Sequence, residues 1–502
     1  MPVKKIKINE NGGQSIRTQI VQHAAKFSSA SFIGGIGRFF NAYFATLLLG
    51  PTLWGAWQGT RLVLQYGGNL HLGVRNGMHR ELPILKGKRE SRQQAAITDV
   101  TFTFNFIAAI VVSLGILFST FVITMGSELR LSLQFISAMV FLQYLNSFYG
   151  IHFRANNEFG IVSRVALING LCSVFSISLV FLFGLSGFLG GHVLRLLITT
   201  AYCWWKSSYV IHWRWDNKVL RALILIGFPI MLMVFANVIF TTIDRLLILK
   251  FLDAKSLGFY SLGNLIFTPL LMIFTASGSV MYPRFAEKYG ETGDPRSLRR
   301  YITLPMENLA AVIPILIGGI YIALPLLVKV FLPEYTYGVL AVRILIFGLF
   351  FYAMAGMAGN MLLTINKQVL RLWILLGSAL LNFGFSYTAL QLGYGIAGVA
   401  AGTSLAYFVF FLTSSVMAIR YTRATYKETG TLLLRVLGPI FYLGAVVVLL
   451  SVFLPMTSET TDGMILQTIV REVIFAGCGS YLLYKLIWKS QITTLLFRGD
   501  SL

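Results

Sequence analysis

Charged residues are scarce in this chain, and acidic residues are the scarcest. Of its 502 residues, 12% are charged and 56% are hydrophobic, and 41 Lys and Arg stand against only 19 Asp and Glu. A soluble domain does not bury so large an apolar surface in its core. The composition therefore excludes a soluble globular protein and predicts an all-α, polytopic membrane protein.

Cysteine and cofactor motifs are also lacking. Cys172, Cys203 and Cys478 lie in or beside apolar segments without C-x-x-C spacing, so we interpret them as packing residues. The chain contains neither a G-x-x-x-x-G-K-[ST] phosphate loop nor an H-E-x-x-H metal motif. We therefore predict no cofactor, no metal and no ATP-driven transport. Because acidic residues are also few and dispersed in the outer loops, we predict that the protein is not an enzyme.

Apolar runs long enough to cross a bilayer occupy most of the chain. A membrane-spanning helix needs about 20 consecutive apolar residues. About fourteen segments qualify, at residues 27–49, 53–73, 98–125, 131–151, 160–184, 187–205, 222–250, 257–283, 301–331, 337–364, 369–391, 395–419, 433–454 and 464–487.

The positive charges test this assignment, because Lys and Arg accumulate in the cytoplasmic loops of membrane proteins. Most of the 41 Lys and Arg lie in the two tails and in every second loop, and the intervening loops contain only Arg130, Lys250, Lys255 and Lys329. This alternation predicts an even number of spans with both termini in the cytoplasm. It also accounts for the net charge of +22 without a nucleic-acid partner.

The stretch Thr241–Asn264 repeats a stretch near the N-terminus. A shift of 203 positions aligns the two without a gap, and each reads as apolar helix, short polar turn, Gly, aromatic residue and apolar helix. The matched residues are Leu252 with Leu49, Gly258 with Gly55 and Tyr260 with Trp57. Internal repeats are typical of secondary transporters, which bind their substrate between the repeats.

Six arginines lie at least five residues inside the predicted spans, where a charge costs a few kcal/mol unless it faces water or a partner. They are Arg38, Arg61, Arg195, Arg245, Arg343 and Arg471. Arg38 is the strongest functional candidate, because it lies in mid-span and follows Gly34, Gly35 and Gly37, which permit close helix packing. We expect it to face a water-filled cavity or a structural partner elsewhere in the bundle.

Arg61 and Arg245 lie nearer to the outer ends of their spans, where a long side chain can also reach the membrane surface. Asp244 precedes Arg245 but, at about 100° around a helix, does not share its face. We expect Asp244 to pair with an arginine of another helix or to bind a coupling cation. Arg195, Arg343 and Arg471 are weaker candidates for a functional role.

Against the six arginines stand three acids at the same depth within the spans: Asp244, Glu307 and Glu472. If these residues share one cavity, the cavity is cationic. It then suits an anionic substrate such as a pyrophosphate, because the planar guanidinium group pairs with phosphate oxygens. The predicted substrate-binding residues are Arg38, Arg61, Arg245 and Asp244.

Three stretches resemble one known group of membrane proteins. They are LLLGPTLWGAWQ (Leu47–Gln58), HLGVRNGMHRELP (His71–Pro83) and TIDRLLILKFLDAKSLGFYSLGN, which ends at Asn264. On these residues the chain resembles the multidrug, oligosaccharidyl-lipid and polysaccharide (MOP) exporter superfamily, and within it the polysaccharide transporter branch with its Wzx-type O-antigen flippases. The resemblance implies two pseudo-symmetric six-helix lobes, 1–216 and 217–425, two further helices within 426–502, and a central cationic cavity.

The resemblance also implies a function. We expect a flippase that moves an undecaprenyl-pyrophosphate-linked oligosaccharide, the repeat unit of an O-antigen or exopolysaccharide, across the bacterial inner membrane by alternating access. The expected partners are this substrate, membrane lipids, a coupling ion (H+ or Na+), a polysaccharide polymerase and chain-length proteins. Two alternatives stay open: a drug or cation antiporter of the same superfamily, whose cavity should be acidic, and a membrane enzyme of glycan assembly such as a polymerase.

Overall fold

The computed structural model describes residues 10–456 and 460–489, and side chains within 29–272, 284–456 and 460–484. The helices of the first half are α1 (Glu10–Gly67), α2 (Val74–Gly87), α3 (Ser91–Val122), α4 (Ser127–Ala155), α5 (Phe159–Lys206), α6 (Asn217–Phe240) and α7 (Ile243–Phe251). Those of the second half are α8 (Ala254–Thr292), α9 (Arg299–Phe331), α10 (Val339–Thr364), α11 (Gln368–Gln391), α12 (Gly395–Tyr421), α13 (Tyr426–Phe453) and α14 (Thr461–Lys489). Short 3-10 turns, Pro295–Leu298 and Pro333–Gly338, precede α9 and α10.

The predicted apolar segments lie on these helices, and the protein is a multi-pass membrane protein. Ten helical stretches of the described residues are long and apolar enough to cross a membrane. Two of them, in α1 and α5, each contain two predicted spans. The predicted spans 257–283 and 464–487 lie on α8 and α14, which are not among the ten. The all-α polytopic fold is confirmed, whereas the cytoplasmic location of both termini stays a prediction.

A single glycine with positive φ interrupts each of the two longest helices. Gly50 in α1 has φ 66° and ψ 175°, and Gly184 in α5 has φ 55° and ψ −130°. Glycine reaches these conformations easily, whereas a side chain would make them costly. Each pair of neighbouring spans is therefore joined with almost no intervening chain.

The sequence pattern predicts a cytoplasmic loop after the second span, but α2 occupies most of it. This helix is too polar and too short to be recognised as a span. Gly73 and Gly77 lie directly against the backbone of α6 at Gly227 and Leu223, where a methyl group on either glycine would overlap α6. The two glycines therefore allow α2 to pack closely against α6.

Arg75 of α2 is buried against the end of α1. Its guanidinium donates to the carbonyl of Gly68 and lies over the ring of Tyr144, 4.7 Å from the ring centroid. The Oη of Tyr144 donates to the carbonyl of Gly67 at 2.9 Å. These contacts satisfy carbonyls that the end of a helix leaves without partners, and burial lowers the pKa of Arg75 to about 10.

His71 fixes the turn between α1 and α2. Its Nδ1 accepts a hydrogen bond from the backbone N–H of Gly73 at 3.2 Å. Burial and the nearby charge of Arg75 lower the pKa of His71 to about 3. The imidazole is therefore neutral at physiological pH.

The chain divides into two compact units. Unit 1 contains the residues up to Leu49 together with Ala56–Phe235, and unit 2 contains Gly50–Gly55 and the residues from Ala236 onward. These boundaries differ from the predicted lobes 1–216 and 217–425, because most of α6 belongs to unit 1. The last two helices, predicted as a separate segment 426–502, contact α9 and belong to unit 2.

Two close backbone contacts within unit 2 are related by the predicted repeat. Gly55 lies against the backbone of Ala254, and Gly258 lies against the backbone of Pro51. A methyl group on either glycine would overlap the facing carbonyl oxygen. Because Ala254 and Gly258 follow Pro51 and Gly55 by the same 203 positions, the two contacts are equivalent. The matched glycines of the repeat are thus positions of closest approach.

Candidate functional site

Arg38 follows a glycine surface on α1 in unit 1. Gly34 and Gly37 lie against the backbone of α5 at Ala166 and Gly170, and a methyl group on either glycine would overlap it. The small residues therefore bring α1 and α5 together. Arg38 itself is exposed, and its Nη1 lies near Gly34.

Arg195, on the second half of α5, belongs to the same group of charges. Its Nη1 donates to the Oδ1 of Asn169 at 3.0 Å, and Asn169 adjoins Gly170, where α1 contacts α5. Gly170 in turn lies against Gly34, and the Nη1 of Arg38 lies near Gly34. The two cations therefore lie in one neighbourhood of unit 1.

Arg61 joins this group through His192 of α5. Arg61 follows Trp57 by four residues on α1, and Arg195 follows His192 by three on α5, so both lie on the helix faces that meet where Trp57 contacts His192. The imidazole packs against the rings of Phe188 and Trp57, with centroids 4.5 and 5.3 Å away. Unit 1 thus gathers three of the six predicted arginines, including Arg195, which the sequence ranks among the weaker candidates.

No carboxylate forms a salt bridge with Arg38 or Arg195 in the part of the chain that the structure describes. At membrane depth a cation without a counter-charge is costly, so such groups mark sites for ions or substrates. Guanidinium groups offer planar sets of donors that match phosphate oxygens. The arrangement is therefore suited to a multivalent anion.

In unit 2 the predicted seventh span is broken just before Asp244. Thr241 and Thr242 form a turn between α6 and α7. The break places Asp244 in the first turn of α7, where free N–H groups and the helix dipole stabilise a negative charge. Its Oδ1 accepts a hydrogen bond from the backbone N–H of Arg245 at 2.8 Å.

The other carboxylate oxygen of Asp244 faces neutral hydroxyl groups. Its Oδ2 accepts from the Oη of Tyr260 on α8, and the Oγ1 of Thr403 on α12 lies 3.5 Å from it. The Oδ1 of Asn382 on α11 lies 3.2 Å from the Thr403 hydroxyl and accepts from Ser386 at 3.0 Å. All five residues are buried, with Asp244 only 4% exposed. The result is a buried group of oxygen atoms from four helices, hereafter the Asp244 group.

Asp244 has no salt bridge to a Lys, Arg or His in the described residues. The expectation that it pairs with an arginine of another helix is therefore wrong there, because Tyr260 and Thr403 occupy the carboxylate instead. A cation site remains the alternative. Neutral oxygen ligands around one carboxylate suit a proton or a hard cation. The described residues contain no cluster of three His, Cys, Asp or Glu side chains, which a transition-metal site would use.

Arg245 has a partner of its own. Its Nη2 donates to the Oδ1 of Asn264 on α8 at 2.8 Å. Asp244 and Arg245 therefore face different neighbours, as their separation around a helix predicts.

The two remaining in-span arginines bind backbone carbonyls. Arg343 donates from Nε to the carbonyl of Tyr321 at 3.1 Å, and its guanidinium lies 4.4 Å from the centroid of the same ring. Arg471 donates to the carbonyls of Leu450 and Leu454 at the end of α13. Both contacts join neighbouring helices. The arginines that remain as candidates for substrate binding in one neighbourhood are those of unit 1.

Sequence reasoning missed the neutral members of both groups. Tyr260 is one of the matched residues of the repeat, which is a signal that it occupies a defined position. Asn382 and Ser386 are four residues apart and so share one face of α11. Thr403 and Asn169 carry no comparable signal.

The comparison with known families decides where the chain belongs. A model of the polysaccharide biosynthesis protein family matches residues 84–336, which is half of the chain. The chain belongs to this family. A search of curated proteins finds no match.

Solved structures with the same fold are transporters and flippases. The lipid II flippase MurJ in its inward closed conformation aligns with a TM-score of 0.69 and 14% identity, covering 91% of this chain and 98% of that one. An inward-facing MATE family multidrug resistance transporter aligns with a TM-score of 0.61 and 14% identity, covering 81% of this chain and 94% of that one. A MOP superfamily transporter from Pyrococcus furiosus aligns with a TM-score of 0.59 and 14% identity, covering 80% of this chain and 96% of that one. At such identity these likenesses show the fold alone.

Family and fold together confirm the predicted membership of the MOP superfamily, in its polysaccharide-synthesis branch. The fold accounts for the broken α6–α7 helix, since transporters use interrupted helices to place polar groups within the membrane. The assignment of Arg38, Arg61, Arg245 and Asp244 to a binding site stays a prediction.

Proposed function

We propose that this protein is a flippase that moves an undecaprenyl-pyrophosphate-linked oligosaccharide across the bacterial inner membrane by alternating access. The oligosaccharide is the repeat unit of an O-antigen or exopolysaccharide. The observation that carries the proposal is the group of Arg38, Arg195 and Arg61 within the membrane-spanning part of unit 1. Membership of a polysaccharide biosynthesis family and a fold shared with the lipid II flippase MurJ support it.

In this proposal the arginines recognise the pyrophosphate, which every lipid-linked repeat unit carries. Arg38 and Arg195 bind its oxygens through charge-assisted hydrogen bonds, and Arg61 adds positive charge beside them. Arg245 is a further proposed contact for the anionic substrate in unit 2. Because the recognised group is the pyrophosphate, the sugar is free to vary and to remain hydrated.

We assign energy coupling to the Asp244 group. A carboxylate surrounded by neutral hydroxyl and amide oxygens gains stability from a proton or Na+, since burial disfavours the bare charge. The helix N-terminus offsets part of that cost, so binding stays reversible. Uptake and release of this cation would bias unit 2 between two conformations and so drive the transport cycle.

The test is the location of the accumulated substrate. A strain lacking the gene is complemented with wild type, Arg38→Ala or Arg38→Lys, and a membrane-impermeant lectin reports lipid-linked oligosaccharide on the outer leaflet. We expect Arg38→Ala to trap the substrate on the cytoplasmic leaflet at normal protein level, and Arg38→Lys to restore part of the flux because charge alone is insufficient. Arg130→Ala, in an exposed predicted outer loop, is the matched control. Wild-type lectin labelling with Arg38→Ala would overturn the assignment.

The same strain separates the two alternatives. A drug or cation antiporter has some support in the MATE-like fold and the buried Asp244, and it predicts drug sensitivity with normal polysaccharide. A polymerase predicts single repeat units on the outer leaflet instead of the inner one. If the flippase proposal holds, a polysaccharide polymerase and its chain-length proteins are the expected partners that consume the product.

A further inference from the structure

An aromatic groove opens on the surface of unit 1, between α3, α4, α5 and the segment 207–216 that follows α5. Its volume is about 820 Å³. Its apolar wall includes Phe102, Leu142, Ala201, Trp204, Trp205 and Trp213. The wall is mostly apolar, and its hydroxyl groups are those of Tyr149, Thr200, Ser207 and Tyr209.

The groove is preformed, because segment 207–216 is fixed to α3 by side chains. The Oη of Tyr209 and the backbone N–H of His212 both donate to the buried carboxylate of Asp99, at 3.0 and 3.1 Å. The N–H of Arg214 donates to the Oγ1 of Thr103 at 3.1 Å. Between these anchors Trp213 packs against Phe102 and Phe106. A non-helical stretch is thus held as one wall of the groove.

The chain that forms one wall of the groove, and the residues just after it, are basic. The sequence from 206 to 221 contains Lys206, Arg214, Lys218 and Arg221 against the single acid Asp216. The Nζ of Lys206 lies 3.7 Å from the ring centroid of Trp205, a lining residue. Arg214 adjoins Trp213, and its Nη2 lies 3.4 Å from the Oδ2 of Asp216. Exposed tryptophans next to basic residues are typical of the membrane–water interface. The groove therefore fits a position at the membrane–water interface, with these basic residues as its rim.

The groove lies on the opposite face of α5 from the proposed substrate site. Leu197, Thr200, Ala201 and Trp204 line it and lie about 140° to 240° around the helix from Arg195. A phosphate held at Arg195 is therefore not the group that meets this rim. The occupant must be a second molecule with an anionic head and a hydrocarbon chain.

We propose that this groove is a binding site for one anionic phospholipid of the surrounding bilayer. An acyl chain fills the aromatic groove, and the phosphate head pairs with Lys206, Arg214 and Lys218. Each basic residue near an anionic headgroup contributes about 1 kcal/mol, which is about fivefold in affinity. A zwitterionic phospholipid with the same chains gains the apolar contact but loses most of this attraction.

The test uses the full chain in detergent with phosphatidylglycerol and phosphatidylcholine of identical acyl chains, counted on the protein by native mass spectrometry. We expect wild type to retain phosphatidylglycerol at least fivefold more than phosphatidylcholine. The triple variant Lys206→Gln, Arg214→Gln, Lys218→Gln should lose this preference. Its matched control removes three exposed charges elsewhere, in Arg130→Gln, Lys250→Gln, Lys255→Gln, and should keep it.

A second variant tests the groove itself. Ala201→Trp fills the groove from an exposed position on α5, so folding is preserved, and it should lower retention of both lipids. The proposal is overturned if the rim variant and its control retain phosphatidylglycerol equally, or if inorganic phosphate displaces it, because either result removes the combined head-and-chain site. The proposal is also overturned if the mass spectra show a bound protein segment, and no lipid, at the groove.

Discussion

Asn41 and Asp244 occupy equivalent positions of the internal repeat, and both are buried. The shift of 203 residues that matches Gly55 with Gly258 also matches these two. The Nδ2 of Asn41 donates to the Oγ of Ser176 on α5 at 2.7 Å, whereas the carboxylate of Asp244 accepts from Tyr260. The repeat thus preserves a polar position in both units but places the acid in only one.

The same shift matches Arg38 with Thr241. The cation of unit 1 is therefore absent from the equivalent place in unit 2. Within the repeat, unit 1 has the arginine group and unit 2 has the buried carboxylate. This difference supports the proposal that unit 1 binds the substrate and unit 2 binds the coupling cation.

Removing Arg195 should weaken binding of a pyrophosphate lipid as strongly as removing Arg38. Hydrogen bonds to charged groups contribute about 1.5 to 3 kcal/mol, so Arg195→Ala should raise the Kd of undecaprenyl pyrophosphate by about 10- to 150-fold. Asn169→Leu removes only the orienting contact and should have a smaller effect. Binding to the purified protein at fixed salt measures both, with Arg130→Ala as control. Unchanged affinity in Arg195→Ala would exclude this residue from the site.

Neutralising the buried carboxylate should uncouple transport from its ion. Asp244→Asn keeps the shape and the acceptor for the N–H of Arg245 but removes the charge that attracts a cation. We expect substrate movement in proteoliposomes to lose its dependence on an imposed H+ or Na+ gradient, while substrate binding persists. Asp253→Asn is the control, since Asp253 is exposed and Asn also caps a helix. A gradient response that survives in Asp244→Asn would contradict the coupling role.

The paired glycine contacts of unit 2 should not tolerate a methyl group. Gly258→Ala and Gly55→Ala each force a side chain onto a backbone carbonyl, and overpacking of this kind costs about 1 to 3 kcal/mol. We expect a lower midpoint of thermal unfolding in detergent for both. Gly377→Ala and Gly430→Ala are matched controls in helices with open space around the glycine. They should be neutral or stabilising by up to about 1 kcal/mol.

Acid should weaken the α1–α2 turn through His71. The folded-state pKa of about 3 lies below the ordinary value of 6.5, so the unfolded chain binds the proton first. Stability is therefore complete above about pH 6.5 and falls as the pH drops towards 3, by about 1 kcal/mol at pH 5.5. Unfolding midpoints between pH 7.5 and 5.5 measure this slope. His71→Asn keeps an acceptor for Gly73 without titrating and should flatten the curve; an equally steep curve would assign the slope to other groups.

The fold could be read from the sequence because its main signal is the length of apolar runs. The signal did separate the predicted spans at Gly50 and Gly184, although no polar loop joins them. It failed at α2, which is polar. It also placed the break before Asp244 inside one span, since Thr241 and Thr242 are polar but uncharged. Local backbone conformation at single residues is set by packing, which a hydropathy pattern does not report.

The candidate site was only partly visible for the same reason. Arg38 and Asp244 stand out as charges in apolar surroundings, but Arg195 has that property as much as Arg343 does. What separates them is the partner: Asn169 beside a helix contact for Arg195, and a backbone carbonyl for Arg343. Partners that lie far apart in the chain become known only when the helices are assembled.

The arginine group of unit 1 has a consequence for the resting protein. Arg38 and Arg195, which form no salt bridge in the described residues, attract small mobile anions such as chloride and inorganic phosphate. Under the proposed function, binding of a lipid-linked pyrophosphate is then an exchange reaction, in which small ions leave as the larger one enters. If the proposed function holds, the transport rate should fall as the phosphate concentration rises, because phosphate competes for the same arginines.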